Sequence, residues 1–551
     1  VTAGDHDDAS PRAASAAASA REASADAPAA TSASGGPTPD PMTAAPRFRS
    51  LADRVREHAR ARPSAPALLQ DDERLDYAAF DALLDRVAAA LQRDGIGPGD
   101  VVAICAHSTP RYAAVFLGAL RAGAAVAPLA PSVSPESFAA MLGDAGPGRL
   151  FADAAAAALL DRVPEGVPIV ALDRAARGTP LDGWLMPPGS TPTPVEVQPE
   201  WPCNIIYSSG TTGTPKGIVQ SHGMRDAHIE RGAAYGYGPH GVTILATPLY
   251  SNTTLVVFFP TLAYGGSVVL MAKFDAARYV ALAERHRATH TMLVPVQYQR
   301  IMALADFDAH DLTSFHMKFC TSAPFSAALK ADVLARWPGG LVEFYGMTEG
   351  GGTCILDAHE HPDKLHTVGP PAPGHDIRLI DERGIEVAPG EVGEVVGHSR
   401  GMMTGYHGRP DLTAEAEWFD PSGKRFIRTG DVGRFDADGF LTLLDRKKDL
   451  VISGGFNIYP SDLEAALREH PAVVEAAVVG VPSATWGETP VAFVVARGDA
   501  NVDAGTLKDW LNARVGKTQR VADLRLVDEL PRSAIGKVMK RELREAYGRA
   551  P

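Results

Sequence analysis

Between Leu51 and Leu129 the apolar positions recur in two rhythms. Leu51-Ala52-Asp53-Arg54-Val55 opens an amphipathic helix, and Asp76 to Asp94 sets Phe80, Leu83, Leu84, Val87, Ala90 and Leu91 on one stripe at helical spacing. Val101-Val102-Ala103-Ile104-Cys105 is a continuous apolar run of strand length, Arg111 to Arg121 is helical again, and Gly123 to Leu129 is a further strand. Strand, helix and strand in alternation predict parallel sheet with covering helices. Cys203 to Tyr207 and Gly217 to Gln220 read as two strands joined by a polar loop, a hairpin. Near the end, a helix from Ser461 to His470, strands Val473 to Val479 and Val491 to Val495, and a terminal helix predict a second compact unit of roughly one hundred residues.

Gly241 to Ala272 contains no charge and includes Leu255-Val256-Val257-Phe258-Phe259, so a membrane span has to be considered. Pro248, Pro260, Gly265, Gly266 and the polar Ser251-Asn252-Thr253-Thr254 are expected to break it into strand- and helix-length pieces of a doubly covered core. Residues 1 to 45, almost without large apolar side chains, are expected to be a disordered tail, with Met42 a candidate start. The tail's acidic residues outnumber Arg12 and Arg21, against secretory or mitochondrial targeting.

Composition narrows the class. At 551 residues and 45% hydrophobic the chain exceeds one core, and a net charge of −13 argues against nucleic acid as the main partner. Cys105, Cys203, Cys320 and Cys354 lie far apart in apolar strings, which predicts reduced, buried thiols and a cytoplasmic protein.

The chemistry concentrates in Tyr207-Ser208-Ser209-Gly210-Thr211-Thr212-Gly213-Thr214-Pro215-Lys216-Gly217. Glycines let backbone N–H groups approach an anion, hydroxyls add donors and Lys216 adds a point charge, a grip for a polyphosphate. A Walker-type loop is excluded, since Pro215 precedes the lysine and Gly217 follows it. Thr321-Ser322-Ala323-Pro324 and then Glu343-Phe344-Tyr345-Gly346-Met347-Thr348-Glu349 follow, the second a strand running into a loop whose tyrosine offers a stacking face and whose Thr-Glu pair offers a hydroxyl beside a hard oxygen ligand. Phe426-Ile427-Arg428-Thr429-Gly430-Asp431 carries an acceptor for two hydroxyls. Asp436-Ala437-Asp438-Gly439 lacks the glycine and glutamate spacing of a calcium loop and reads as a hairpin turn.

In this order the motifs resemble the adenylate-forming superfamily of acyl-CoA synthetases, aryl-CoA ligases, luciferases and nonribosomal adenylation domains, from about residue 48 to the end. The resemblance implies an α/β fold: a large N-terminal domain of parallel-rich sheets with covering helices and a β-rich subdomain, over residues 46–444, and a small mobile α+β lid over 445–551. Gly390 to Val396 and Gly401-Met402-Met403-Thr404-Gly405-Tyr406 resemble the β-rich part. It implies ATP bound by Ser208 to Thr214, Lys216, Ser322 to Pro324, Phe344 to Thr348, Asp431, Leu443 and Arg446, with Glu349 on magnesium. Lys537 would bridge carboxylate and α-phosphate, Lys448 would be the hinge, and Ser453-Gly454-Gly455-Phe456 would line a channel for coenzyme A.

The implied reaction is an ATP-dependent ligation of a carboxylic acid to coenzyme A, through acyl-AMP and pyrophosphate. Alternatives are a stand-alone enzyme loading a separate carrier protein and a nucleotide-binding regulator without chemistry. Oxidation as in luciferases is disfavoured by Ile452, where those enzymes carry a second lysine. Tyr250, Ser251, Asn252, Val296, Gln297, Met347, Gly351 and Thr353 are the expected acid pocket, without an arginine that would point to a dicarboxylate. Relatives usually have histidine where Ser251 stands; Asn252 either binds a substrate hydroxyl or caps a turn.

Overall fold

The computed structural model describes residues 48–551 apart from 175, 209–214, 454–455, 499, 501, 534–536 and 550–551, with backbone only at 457, 518 and 549. The tail expected to be disordered lies outside the described residues.

The two stripes read between Leu51 and Leu91 are the helices Leu51–Ala61 and Tyr77–Arg93. Asp76 caps the second by accepting from the Ala79 N–H at 2.8 Å, and Phe80, Leu84, Val87 and Leu91 are fully enclosed. Val101–Cys105 and Ala125–Leu129 pair in parallel across the helix Pro110–Arg121. They form the middle of an eight-stranded sheet that also holds the hairpin Pro202–Ser208 and Lys216–Ser221.

A second eight-stranded sheet has a parallel centre: Ser267–Leu270, Val242–Leu245, His290–Leu293, Met317–Cys320 and Gly340–Tyr345 lie side by side, with the antiparallel Cys354–Asp357 at the edge. Helices against these sheets bury a core that includes Phe116, Phe151, Phe258 and Phe259. A five-stranded antiparallel sheet follows, built on Gly393–His398, Arg425–Phe435 and Leu441–Arg446. Asp436 to Gly439 is the hairpin turn expected there, with Lys364 bridging Asp436 and Asp438. The last sheet joins Val451–Ser453, Phe456–Ile458, Val473–Ser483, Gly487–Ala496 and Asp523–Leu526 around the helices Pro460–Arg468 and Ala504–Asn512.

The uncharged stretch is core: the strands Val242–Leu245 and Ser267–Leu270 flank the helix Asn252–Ala263, and no helix among the described residues is long and apolar enough to cross a membrane. Pro260 does not end that helix, contrary to expectation. Its ring is accommodated by Gly232 on the neighbouring helix, where a Cβ would come within 3.0 Å of the proline Cβ. Gly405–Tyr406 also departs from expectation: it leaves the β-rich region and pairs antiparallel with Lys216–Ser221, covering the outer edge of the hairpin. All four cysteines are buried and free.

Candidate functional site

Hydrogen bonds that fold the hairpin also position its lysine. Ser208 and Lys216 stand opposite each other at the open end, and Gly217 is needed there because a Cβ would fall 2.9 Å from Ile205 Cγ2. The Lys216 Nζ lies 5.1 Å from the Tyr406 ring centre, and the Tyr406 hydroxyl donates to Glu349 Oε1 at 2.9 Å. The Met403 N–H donates to the Glu349 carbonyl at 2.8 Å. Gly350, with φ +75°, packs so closely on the Gly401 carbonyl that a Cβ would lie 1.8 Å from it. The strand Gly405–Tyr406 and its approach thus lock the loop carrying Thr348 and Glu349 against the hairpin. Ser209 to Thr214 lie outside the described residues.

Behind this loop stands a buried polar hub. Arg225, on the helix His222–Gly232, donates to Asn204 Oδ1 at 2.9 Å, to Asn252 Oδ1 at 2.8 Å and to Gln220 Oε1. The Asn204 amide donates to Gln220 Oε1 at 2.7 Å, and the Gln220 amide donates to the Thr348 carbonyl at 2.6 Å. Burial pushes the Arg225 guanidinium down to about 10. Asn252 is therefore held by an arginine rather than capping the turn; the cap is Ser251, which accepts from the Thr253 N–H.

Across the cleft the Tyr345 hydroxyl donates to Asp431 Oδ2 at 2.9 Å, and Arg446 Nε lies 3.1 Å from Asp431 Oδ1. Burial, and then Asp431, raises the Tyr345 phenol well above its ordinary value. Lys537 reaches this corner from the far end of the chain, its loop closed by the Ser533 N–H donating to the Lys537 carbonyl at 2.8 Å. Burial, reinforced by Arg446 and Lys448, pushes the Lys537 ammonium down to about 8. Ala534 to Gly536 lie outside the described residues. Lys448 also faces the cleft, its ammonium pulled down by burial and then by Arg446.

One cleft of about 1800 Å³ joins these groups: Ser208, Lys216, Thr348, Glu349 and Met347 line it together with Arg446, Lys448 and Lys537. Ser322, Phe344, Gly346, Tyr250, Ser251, Asn252 and Thr353 line it too. Ala323, Pro324, Tyr345, Asp431 and Leu443 do not, Tyr345 and Asp431 being bonded to each other and Leu443 packing with the apolar core under the antiparallel sheet. Val296, Gln297 and Gly351 are likewise outside it. The Gln297 side chain is spent on the Val294 N–H and the Ala246 carbonyl, and Gly351, with φ +84°, is pressed against the Gly397 carbonyl. Ser453 and Phe456 face each other on the hairpin beyond Lys448, away from the cleft, with Phe456 exposed; Gly454 and Gly455 lie outside the described residues.

The sequence reading missed the helix His222–Gly232. It supplies Arg225, His228 and Arg231 to the site, which corrects the expectation of a pocket without arginine. Their spacing of three was the available signal, masked because charged residues at helical intervals ordinarily mark a solvated face.

A magnesium ion fits the donor chemistry in a limited way. Glu349 has one carboxylate oxygen on Tyr406, leaving the other for a hard cation beside Thr348. Among the described residues no group of three or more His, Cys, Asp or Glu side chains could hold a metal, so phosphate oxygens would complete the shell.

Residues 55–407 match the family model described as AMP-binding enzyme, and residues 462–537 match AMP-binding enzyme C-terminal domain. A feruloyl-CoA synthase of Amycolatopsis sp is 33% identical over 503 residues, 89% of this chain and 97% of the relative. The fatty acid–[acyl-carrier-protein] ligase ScoC of Streptomyces coeruleorubidus is 31% identical over 514 residues, 91% and 97% of the two chains. The crystal structure of ATP-bound MatB from Rhodopseudomonas palustris superposes with a TM-score of 0.81 at 29% identity, covering 90% of this chain and 99% of that one.

Proposed function

The chain belongs to the AMP-binding enzyme family, and from that premise we propose that it joins a carboxylic acid to coenzyme A through an acyl-adenylate. The observation that carries this reading is the meeting, in one cleft, of Lys537 from the C-terminal segment with Lys216 and Glu349 from the hairpin and its neighbouring loop. A carboxylate oxygen of the acid attacks the α-phosphorus of ATP, the bond to the β-phosphate breaks, and pyrophosphate leaves with acyl-AMP remaining. Charge grows on the equatorial oxygens of the α-phosphate, where the Lys537 ammonium stabilises it. Lys216 and the hydroxyl-rich loop hold the β and γ phosphates. Asp431 and Arg446 take the ribose, Tyr345 and its loop take the base, and Glu349 would hold a magnesium ion, which would supply charge neutralisation to the phosphates.

In the second step the coenzyme A sulfur attacks the acyl carbonyl, the carbon–oxygen bond to AMP breaks, and the thiol proton passes to solvent. For this step we assign residues 46–444 to binding ATP and acid, and 445–551 to a lid that turns about Lys448 and withdraws Lys537. Support comes from the sheets: Leu441–Arg446 ends one and Val451–Ser453 begins the next, leaving only Lys447 to Leu450 between them. Ser453 and Phe456, away from the cleft in this pose, would then come to line the thiol channel. Buried, free thiols fit a cytoplasmic setting.

A carrier protein as acceptor is the second reading, favoured by the similarity to ScoC. Acid-dependent release of pyrophosphate, followed by mass detection of an acyl thioester with coenzyme A alone, tests both. Lys537→Ala should slow adenylation about 100-fold or more, while thioester formation from supplied acyl-AMP falls far less. Equal losses in the two steps would contradict the assigned role, and failure to acylate coenzyme A would leave the carrier as acceptor.

A further inference from the structure

The helix His222–Gly232 presents Arg231 to the cleft, enclosed by protein yet open to the cavity. Its guanidinium carbon lies 5.1 Å from the centre of the Phe344 ring. Among the described residues Arg231 has no hydrogen bond and no carboxylate partner, and the groups that bear on its charge are the phenols of Tyr235 and Tyr237. Every other arginine described on this helix is engaged: Arg225 has three amide oxygens. One turn earlier His228 also faces the cleft, and its Nδ1 is buried without a partner. Burial, then Arg231 and Arg225, keeps that imidazole neutral well below its ordinary range, so it can still donate one hydrogen bond. Carboxylates are near but turned to other work. Glu230 lies 3.4 Å from Arg400, and Asp357 and Glu360, on the cleft wall, bear on Tyr235 and not on Arg231.

A cation kept without a counter-ion in a low-dielectric wall costs stability, and Arg in such a place suits planar recognition of an anionic oxygen group. Resting on the ligase reading, we propose that the acid activated here carries a second anionic oxygen group, a carboxylate or sulfonate, remote from the carboxyl that is adenylated, and that Arg231 with His228 binds it. The Phe344 and Tyr235 rings, packed edge to face at 5.9 Å, line the same cleft as this pair. The remote group takes no part in bond making; its role is to favour substrates that supply the missing partner.

The test pairs acids of equal length with and without the distal charge: adipate and 6-sulfohexanoate against hexanoate, terephthalate and 4-sulfobenzoate against benzoate. Direct binding by calorimetry and pyrophosphate release are both read, for the native chain, Arg231→Gln and Arg231→Lys. The native protein should bind a doubly anionic acid ~10- to 100-fold better than its partner, the range for a hydrogen bond to a charged group, and Arg231→Gln should erase that ratio chiefly through KM while Arg231→Lys restores part of it. The carboxylate and sulfonate arms tell which anion is taken. Because Arg231→Gln removes an unpaired charge, its Tm should equal or exceed that of the native chain, and adipate or terephthalate should raise the native Tm but not the variant's. No preference in the native chain, or a preference that survives Arg231→Gln, overturns the proposal. Charge-dependent binding that Arg231→Gln erases, with no pyrophosphate from any acid, would sustain anion binding at Arg231 while refuting the ligase reading.

Discussion

Replacing Arg225 with methionine removes the centre of the buried hub at nearly constant length. Three hydrogen bonds from a charged donor are lost, to Asn204, Gln220 and Asn252, each worth ~1.5–3 kcal/mol. Against that, the guanidinium no longer has to be desolvated. Its fall from 12.5 to about 10 corresponds to ~3 kcal/mol returned. The difference leaves ~2–6 kcal/mol of destabilisation, centred near 4. A domain of roughly 400 residues unfolds with an entropy near 0.8 kcal/mol per degree, so Tm should drop by about 5 °C in a calorimetric scan. Activity should fall too, because Gln220, freed of Arg225, no longer fixes the Thr348 carbonyl beside Glu349. Arg225→Lys should recover part of the stability and little of the activity, since an ammonium cannot span three acceptors in the guanidinium's fork. If Arg225→Met melts within 1 °C of the native chain and releases pyrophosphate at the native rate, the hub neither holds the fold nor orders the site.

Two further outcomes concern pH. Lys537 acts as a cation and its folded-state value is lowered to about 8, so kcat/KM for adenylation should decline as pH rises through about 8, and Lys537→Arg should abolish that limb; a flat native profile from pH 7 to 9.5 would remove Lys537 from the reacting centre. Burial lowers His222 and His290 to about 4, so each stays neutral in the fold while the unfolded chain takes up a proton below 6.5. Stability should thus be lost as pH falls from 6.5 toward 4, by about 2 kcal/mol for each histidine at pH 5; His222→Phe should flatten the pH dependence of Tm, and an unchanged slope would count against its burial as the cause.

Much of the scaffold was legible because local and tertiary preferences agree. Asp76 and Asp94 bound the helix that the Phe80 to Leu91 stripe predicts, and the apolar runs at Val101 and Ala125 are neighbours in parallel register. The hairpin was readable from two apolar runs around a hydroxyl-rich loop. What stayed hidden depends on partners distant in sequence. Pro260 is tolerated in mid-helix because the facing residue is Gly232, a fact about another helix. Gly405–Tyr406 is too short to show a period, and its pairing with Lys216–Ser221 carries Tyr406 to Glu349. Gln297 has the composition of a pocket residue, yet its amide is committed to two backbone groups. For Asn252 the turn-cap reading fails because Ser251 is the cap and the Asn252 acceptor is claimed by Arg225, which no local pattern reveals.

The long-range pairing of the sheets also bears on how the molecule is made. Ser267 Oγ donates to the Pro66 carbonyl across 201 positions, at an edge of one sheet, and the other sheet gains its final strand only when Gly405–Tyr406 arrives. Loop closure must precede each of these joins, so refolding after dilution from denaturant should be slow, with apolar ladders awaiting their neighbours for much of that time. Aggregation during that interval, more than instability of the finished molecule, would then limit recovery, and cooler, more dilute renaturation should raise the yield.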